Sequence, residues 1–244
     1  MEIHVLADPA AAGARAADLA AELIGAALAK RGRARIVVAT GASQFEMLAS
    51  LTPRDIGWRD VTAFHLDEYV GLPMAHPASF RGYLRDRFVS RLREPLAAMH
   101  YIDGEGDVDA ECARLAALIS AEPIDVCLCG IGENGHLAFN DPPADFDTEV
   151  PYLVVDLDEA CRRQQVSEGW FATIDDVPTR AVSMSIRRIM ASEAIVCTVP
   201  DERKARAVRD CLDGPISNLA PASILQQHPN CYLVLDEAAA SMLG

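Results

Sequence analysis

The 244-residue chain has no uninterrupted apolar run of 18 residues, which excludes a membrane-spanning helix. Cations are scarce: 22 Lys and Arg face 36 Asp and Glu, a formal charge of −14. Nucleic-acid binding needs clustered cations to displace phosphate counterions, so no nucleic-acid partner is expected, and no anionic membrane surface either. No basic leader followed by a short apolar block opens the sequence, so no secretory signal is expected. The seven cysteines are odd in number and scattered, and no Cys/His set has zinc spacing. They imply a reduced, cytoplasmic protein without a disulfide framework or metal site. No linker, low-complexity stretch or repeat divides the chain, so one domain over residues 1–244 is the economical reading.

What is present is alternation. Short β-branched runs at Glu2–Ala7, Arg35–Ala39, Val61–Leu66, Ile124–Cys129, Ile195–Val199 and Tyr232–Leu235 alternate with segments of helical period. Asp8-Pro9 supplies an N-cap and a first-turn proline, and Gly32 a stop, around the spaced Leu19, Leu23, Ile24 and Leu28. A second helix is expected near Gln44–Leu51. Phe80, Leu84, Phe88 and Leu92 mark one face of another, whose arginines read as a solvated side. Near-continuous apolar strands separated by helices predict an α/β, Rossmann-like fold: a mostly parallel sheet with helices on both faces. Ligands of such sheets bind beyond the strand C-termini, and the notable motifs fall there.

Three loops carry the chemistry. Thr40-Gly41-Ala42-Ser43 joins a strand to a helix and offers N–H groups and hydroxyls to an anion. Neither a Walker lysine pattern nor GxGxxG is present, so a small phosphorylated metabolite is the expected anion; the plainer reading is an ordinary turn with Ser43 as N-cap. Asp67-Glu68-Tyr69 ends the third strand, where alternation turns one carboxylate to the cleft as a base while the other anchors a neighbouring loop. In Gly130–Asp141, Gly130, Gly132 and Gly135 let the backbone approach a ligand, Asn134 precedes His136, and Asp141 stands where it can polarise the imidazole. Lys204, at the start of a helix after the fifth strand, is placed to hold a phosphate. His65, Cys127 and Cys129 read as core residues.

The segments FHLDEYVGLPMAHPASF, GIGENGHLAFNDP and VPDERKARAVRDCLDGPISNLAPASILQQHPNCYLVLDEAA together resemble glucosamine-6-phosphate deaminases, whose superfamily also contains 6-phosphogluconolactonases. The similarity runs from about Ala39 to about Glu237. It implies a Rossmann-like fold and conversion of glucosamine 6-phosphate and water to fructose 6-phosphate and ammonia, with no cofactor and no metal. By motif, Asp67 resembles the base that moves the C2 proton to C1, and His136 the ring-opening residue, with Asn134 and Asp141 in support. Thr40, Gly41, Ala42, Ser43 and Lys204 resemble the phosphate pocket, and Glu68 and Gly132 are placed with the substrate-binding residues. Asp141 stands where the family usually has glutamate, and Asn134 where many members have aspartate. The family's Arg-Phe-Phe stretch is replaced by CRRQQVSEGWF, with Arg162 or Arg163 as the candidate phosphate ligand.

Two rival functions are a 6-phosphogluconolactonase-like hydrolase and a sugar-phosphate sensor that binds without turnover. The lactonase loop typically reads DGHTASLFP, against NGHLAFNDP here. The sequence leaves homo-oligomerisation open. If an acidic protein holds a phosphate dianion, the site is expected to be positive against its surroundings.

Overall fold

The computed structural model describes residues 1–244. After strand β1 (Glu2–Leu6), Asp8 accepts the Ala11 N–H at 2.7 Å and Pro9 opens helix α1 (Pro9–Arg31), which ends at Gly32 with φ of +69°. There follow β2 (Ala34–Val38), α2 (Phe45–Leu51), β3 (Val61–His65), β4 (Asp67–Tyr69), α3 (Phe80–Arg87) and β5 (Ala98–His100). Next come α4 (Val108–Ser120), β6 (Val126–Cys129), β7 (Tyr152–Asp156), α5 (Glu159–Ser167), β8 (Arg180–Met184) and α6 (Ile186–Met190). The chain closes with β9 (Ala194–Val199), α7 (Ala205–Leu212) and β10 (Cys231–Asp236). None of these helices is long and apolar enough to cross a membrane.

Seven strands form one parallel sheet in the order β1-β10-β9-β6-β2-β3-β5. Its inner strands are buried on both sides because both sides are covered, whereas the edge strands β1 and β5 are partly exposed. Ile36, Val38, Val126 and Leu128 pack under α1, α2 and α3, whereas Val37, Cys127, Cys129 and Cys197 pack under α4, α6 and α7. All seven cysteines are free and buried. Crossovers leave β2 toward β3 and β6 toward β9, so the order reverses between β2 and β6. A crevice opens at that switch point, beyond the strand C-termini.

Three local expectations need correction. Asp67-Glu68-Tyr69 is not the end of β3 but a separate strand, in a second sheet of order β4-β8-β7, antiparallel throughout. The chain changes sheet at Leu66, whose carbonyl accepts the Met184 N–H at 2.9 Å. Leu92 lies outside α3, which stops at Arg87 and continues only as a 3₁₀ turn over Val89–Arg91. The arginines of that segment are not all solvated: Arg81 is buried, donating to Asp103, Glu105 and the Leu72 carbonyl.

Candidate active site

The crevice encloses about 580 Å³, its open mouth included. Its walls come from five places: the β2–α2 turn, the β3–β4 junction, the first residue of α3, the loop after β6, and α5 with the residue that follows it. Lys204 reaches in from the start of α7.

The β2–α2 turn is shaped from beneath by Gln44, which is fully buried. Its Nε2 lies 3.0 Å from Ser43 Oγ and 3.3 Å from the carbonyls of Cys129 and Thr198, so one amide ties together the ends of β2, β6 and β9. From above, Tyr83 on α3 donates its hydroxyl to the Gly41 carbonyl at 2.9 Å. Gly41 has φ of +97°, a conformation that favours glycine. Thr40, Gly41, Ala42 and Ser43 all line the crevice. Ser43 lies inside a 3₁₀ turn over Ala42–Gln44 and makes no capping hydrogen bond, contrary to its reading as an N-cap.

Asp67 and Glu68 point opposite ways, as strand alternation dictates. Asp67 faces the crevice and is only 6% exposed; burial first, then the neighbouring Glu68 charge, pushes its carboxyl up to about 8. Glu68, expected at the substrate, is turned away and fully buried. Its oxygens accept the N–H groups of Tyr69, Phe80 and Arg81 and the Ser79 hydroxyl, between 2.7 and 3.2 Å. It anchors the start of α3 instead of binding a ligand. Burial holds its pKa above the ordinary carboxylate value, and those four donors offset only part of the rise.

The loop after β6 delivers His136. A hydrogen bond from the Gly132 N–H to the His136 carbonyl (3.0 Å) closes it, and Gly135 takes φ of +84°. The imidazole lies on Gly132 so closely that a Cβ there would stand 2.2 Å from Nε2. Asn134 Oδ1 accepts the His136 N–H at 3.1 Å, and its Nδ2 donates to Asp141 Oδ1 at 3.0 Å. His136 Nδ1 is 3.1 Å from the same oxygen. Asp141 Oδ2 accepts the Asp158 N–H at 3.1 Å, at the start of α5. Burial raises the Asp141 pKa, but His136, Asn134 and Asp158 outweigh it and hold the carboxyl below its ordinary value. His136 and Gly132 line the crevice; Asn134 and Asp141 stand behind the imidazole.

A metal would find one candidate cluster: His136, Asp141 and Cys161, whose donor atoms lie within 4.8 Å of one another. Burial first, and then the Asp141 and Asp158 charges, push the Cys161 thiol well above its ordinary value. His65, read as a core residue, is fully buried; burial and then Arg81 lower its pKa to about 3.

The candidate arginines do not reach the crevice. Arg162 donates to the carbonyls of Ile174 and Val177, and exposed Arg163 pairs with Glu159 one turn away. The same helix and the residue after it line the crevice with Gln164, Gln165 and Glu168, none of which sequence reasoning singled out. Their signal was present in QQVSEG: side chains three and four apart share one helix face. Glu168 Oε1 is 3.8 Å from Lys204 Nζ, and both side chains are buried. The expectation of a positive site is therefore corrected: one ammonium faces one carboxylate.

A family model described as glucosamine-6-phosphate isomerases/6-phosphogluconolactonase matches residues 7–233. The chain is 34% identical over 244 residues to a glucosamine-6-phosphate deaminase of Lactobacillus delbrueckii subsp. bulgaricus, covering 100% of both. A solved monomeric glucosamine-6-phosphate deaminase superposes with a TM-score of 0.90 at 31% identity, over 99% of this chain and 100% of that one. A 6-phosphogluconolactonase of Shewanella baltica shares the fold, with a TM-score of 0.78 at 19% identity over 97% of each chain. The chain belongs to the family of glucosamine-6-phosphate isomerases and 6-phosphogluconolactonases.

Proposed function

We propose that the protein is a glucosamine-6-phosphate deaminase, converting glucosamine 6-phosphate and water to fructose 6-phosphate and ammonia. The observation that carries this reading is the shared crevice of Asp67 and His136: a buried carboxyl whose pKa of about 8 suits proton abstraction from carbon, beside an imidazole backed by Asp141.

The steps follow from what each group can do. His136 takes the proton from O1 of the closed sugar and returns one to O5, opening the ring. Asp67, ionised, removes the C2 proton of the open chain and delivers it to C1. With one proton passing from the amine nitrogen to O1, that converts the aldehyde bearing an adjacent amine into a C2 imine bearing an adjacent hydroxymethyl group. Water adds to C2 and ammonia leaves, so the atoms balance without oxidation. Asp141 orients the imidazole, Asn134 holds both the His136 backbone and the Asp141 carboxylate, and Gly132 gives the ring room. The phosphate is held by the Thr40–Ser43 turn and Lys204. The unpaired cysteines favour the cytoplasm as the place of reaction.

Lactone hydrolysis would leave Asp67 with no carbon acid to deprotonate. The test is to incubate the purified protein with glucosamine 6-phosphate, following ammonia and fructose 6-phosphate, with 6-phosphogluconolactone in parallel. Ammonia release abolished by Asp67→Asn is expected. Lactone opening alone would overturn the reading, as would saturable binding of both compounds without product, the behaviour of a sensor.

A further inference from the structure

Lys204 is the one cation among the residues lining the crevice, and it is not free. Glu168 Oε1 stands 3.8 Å from its Nζ, too far for a hydrogen bond but close enough for the two charges to neutralise each other. The carboxylate is held there by design of its neighbours. Gln164 Nε2 donates to Oε1 at 2.7 Å, and Trp170 Nε1 to Oε2 at 3.2 Å. Gln164 is itself fixed by the Glu133 N–H, which its Oε1 accepts at 2.9 Å. Arg203, next to Lys204, is spent on Asp201 at 2.7 Å.

A phosphate dianion arriving at Lys204 meets that carboxylate at contact range, and like charges in a desolvated site are costly. We infer that Glu168 sets the affinity of the phosphate subsite: it neutralises Lys204 in the free protein and gives way when the substrate's phosphoryl group arrives. The inference rests on the phosphorylated substrate proposed above. Release of Glu168 is coupled to Trp170, which loses its indole hydrogen bond. Trp170 packs edge-on against Phe45 (6.3 Å) and Tyr83 (6.5 Å), and Tyr83 in turn holds the Gly41 carbonyl. The displaced carboxylate and the anion-binding turn are thus joined through one aromatic cluster.

The chain has two tryptophans, so Trp58→Phe leaves Trp170 as the sole indole. Inorganic phosphate is titrated into that protein with Trp170 emission as the signal, and again after adding Glu168→Gln, which keeps an acceptor oxygen but removes the charge. The parent should show a saturable emission change, and the Gln variant should bind phosphate about tenfold more tightly. KM for glucosamine 6-phosphate should fall by a similar factor, with kcat moving less. An unchanged or weakened phosphate affinity overturns the inference, as does weaker substrate binding in the Gln variant, which would make Glu168 a ligand for the sugar's amine. Should the Gln variant not fold, the parent still decides: no emission change at phosphate saturation, established by calorimetry, overturns it. Tighter phosphate binding without ammonia release would sink the deaminase reading alone; ammonia release with unaltered phosphate affinity would sink this inference alone.

Discussion

Asp141 Oδ1 lies 3.1 Å from His136 Nδ1, although an aspartate arm is about one C–C bond shorter than the glutamate usual in the family. The start of α5 closes the gap. The Asp158 N–H grips the other oxygen and Asn134 shares the first, so the short carboxylate is held in place from two sides. Replacing Asp141 by Asn should lower kcat by roughly 10²-fold or more, as expected when an imidazole loses its orienting anion. Because the native pKa is depressed, the carboxylate stabilises the fold above its unfolded value, and that contribution disappears as pH falls through the native one. Thermal melts of the parent and Asn variant should differ at pH 7 and converge in acid.

Asp67 has the opposite sign. Its native pKa of about 8 lies above the unfolded value of 3.8, so the native protein takes up a proton between those limits and loses stability as pH rises from 4 to 8. The neutral variant Asp67→Asn is spared that loss. It should release no measurable ammonia yet melt at a higher temperature than the parent at pH 8, the gap narrowing toward pH 4. In the parent, kcat/KM should climb with pH through an apparent value near 8, since only the ionised base can take the C2 proton. A profile flat between pH 6 and 9 would remove Asp67 from that role.

Gly132 carries no strained φ; what requires glycine there is contact. A methyl group would sit 2.2 Å from His136 Nε2 and push the imidazole away. Gly132→Ala should therefore cost at least about tenfold in kcat, more on the closed sugar than on an open-chain analogue. Equal losses on both would mean that the displaced ring is not the ring-opening group.

Glu68 should prove structural, with one electrostatic signature. Glu68→Gln gives up a buried anion that satisfies four donors, and about 3 kcal/mol of stability should go with it, measurable by urea unfolding. The variant also removes a charge that raises the Asp67 pKa. The pH profile of kcat/KM should consequently shift to lower pH, which a loss of stability alone would not produce.

Six strands of the parallel sheet were legible, the inner ones because they are buried on both faces and so stand out as apolar runs such as IVCTV and YLVL; the short, half-exposed edge strand Ala98–His100 was not. The β7 and β8 strands were not: Tyr152–Asp156 is largely half-exposed, and Arg180–Met184, buried beyond Arg180, carries a serine amid its apolar residues and finds its antiparallel partners far away in the chain. Thr40–Ser43, Asp67, His136 and Lys204 could be read because each follows a strand, and the fold gathers strand ends. The direction of Glu68 depended on β4 joining a different sheet. QQVSEG shows that Glu168 shares a helix face with Gln164 and Gln165, but that this face meets the crevice depended on where α5 packs. Arg162 failed as a phosphate ligand because its guanidinium is used on the Ile174 and Val177 carbonyls.

The pairing of Asp67 with Ser183, and of Leu66 with Met184, puts the base on a strand whose register is dictated by residues more than a hundred positions downstream. The FHLDEY stretch is therefore not a portable cassette. Grafted onto another open parallel sheet without β7 and β8, it would keep its sequence and lose its aim. A graft that keeps the aim of Asp67 has to carry residues 61–69 and 152–184 together.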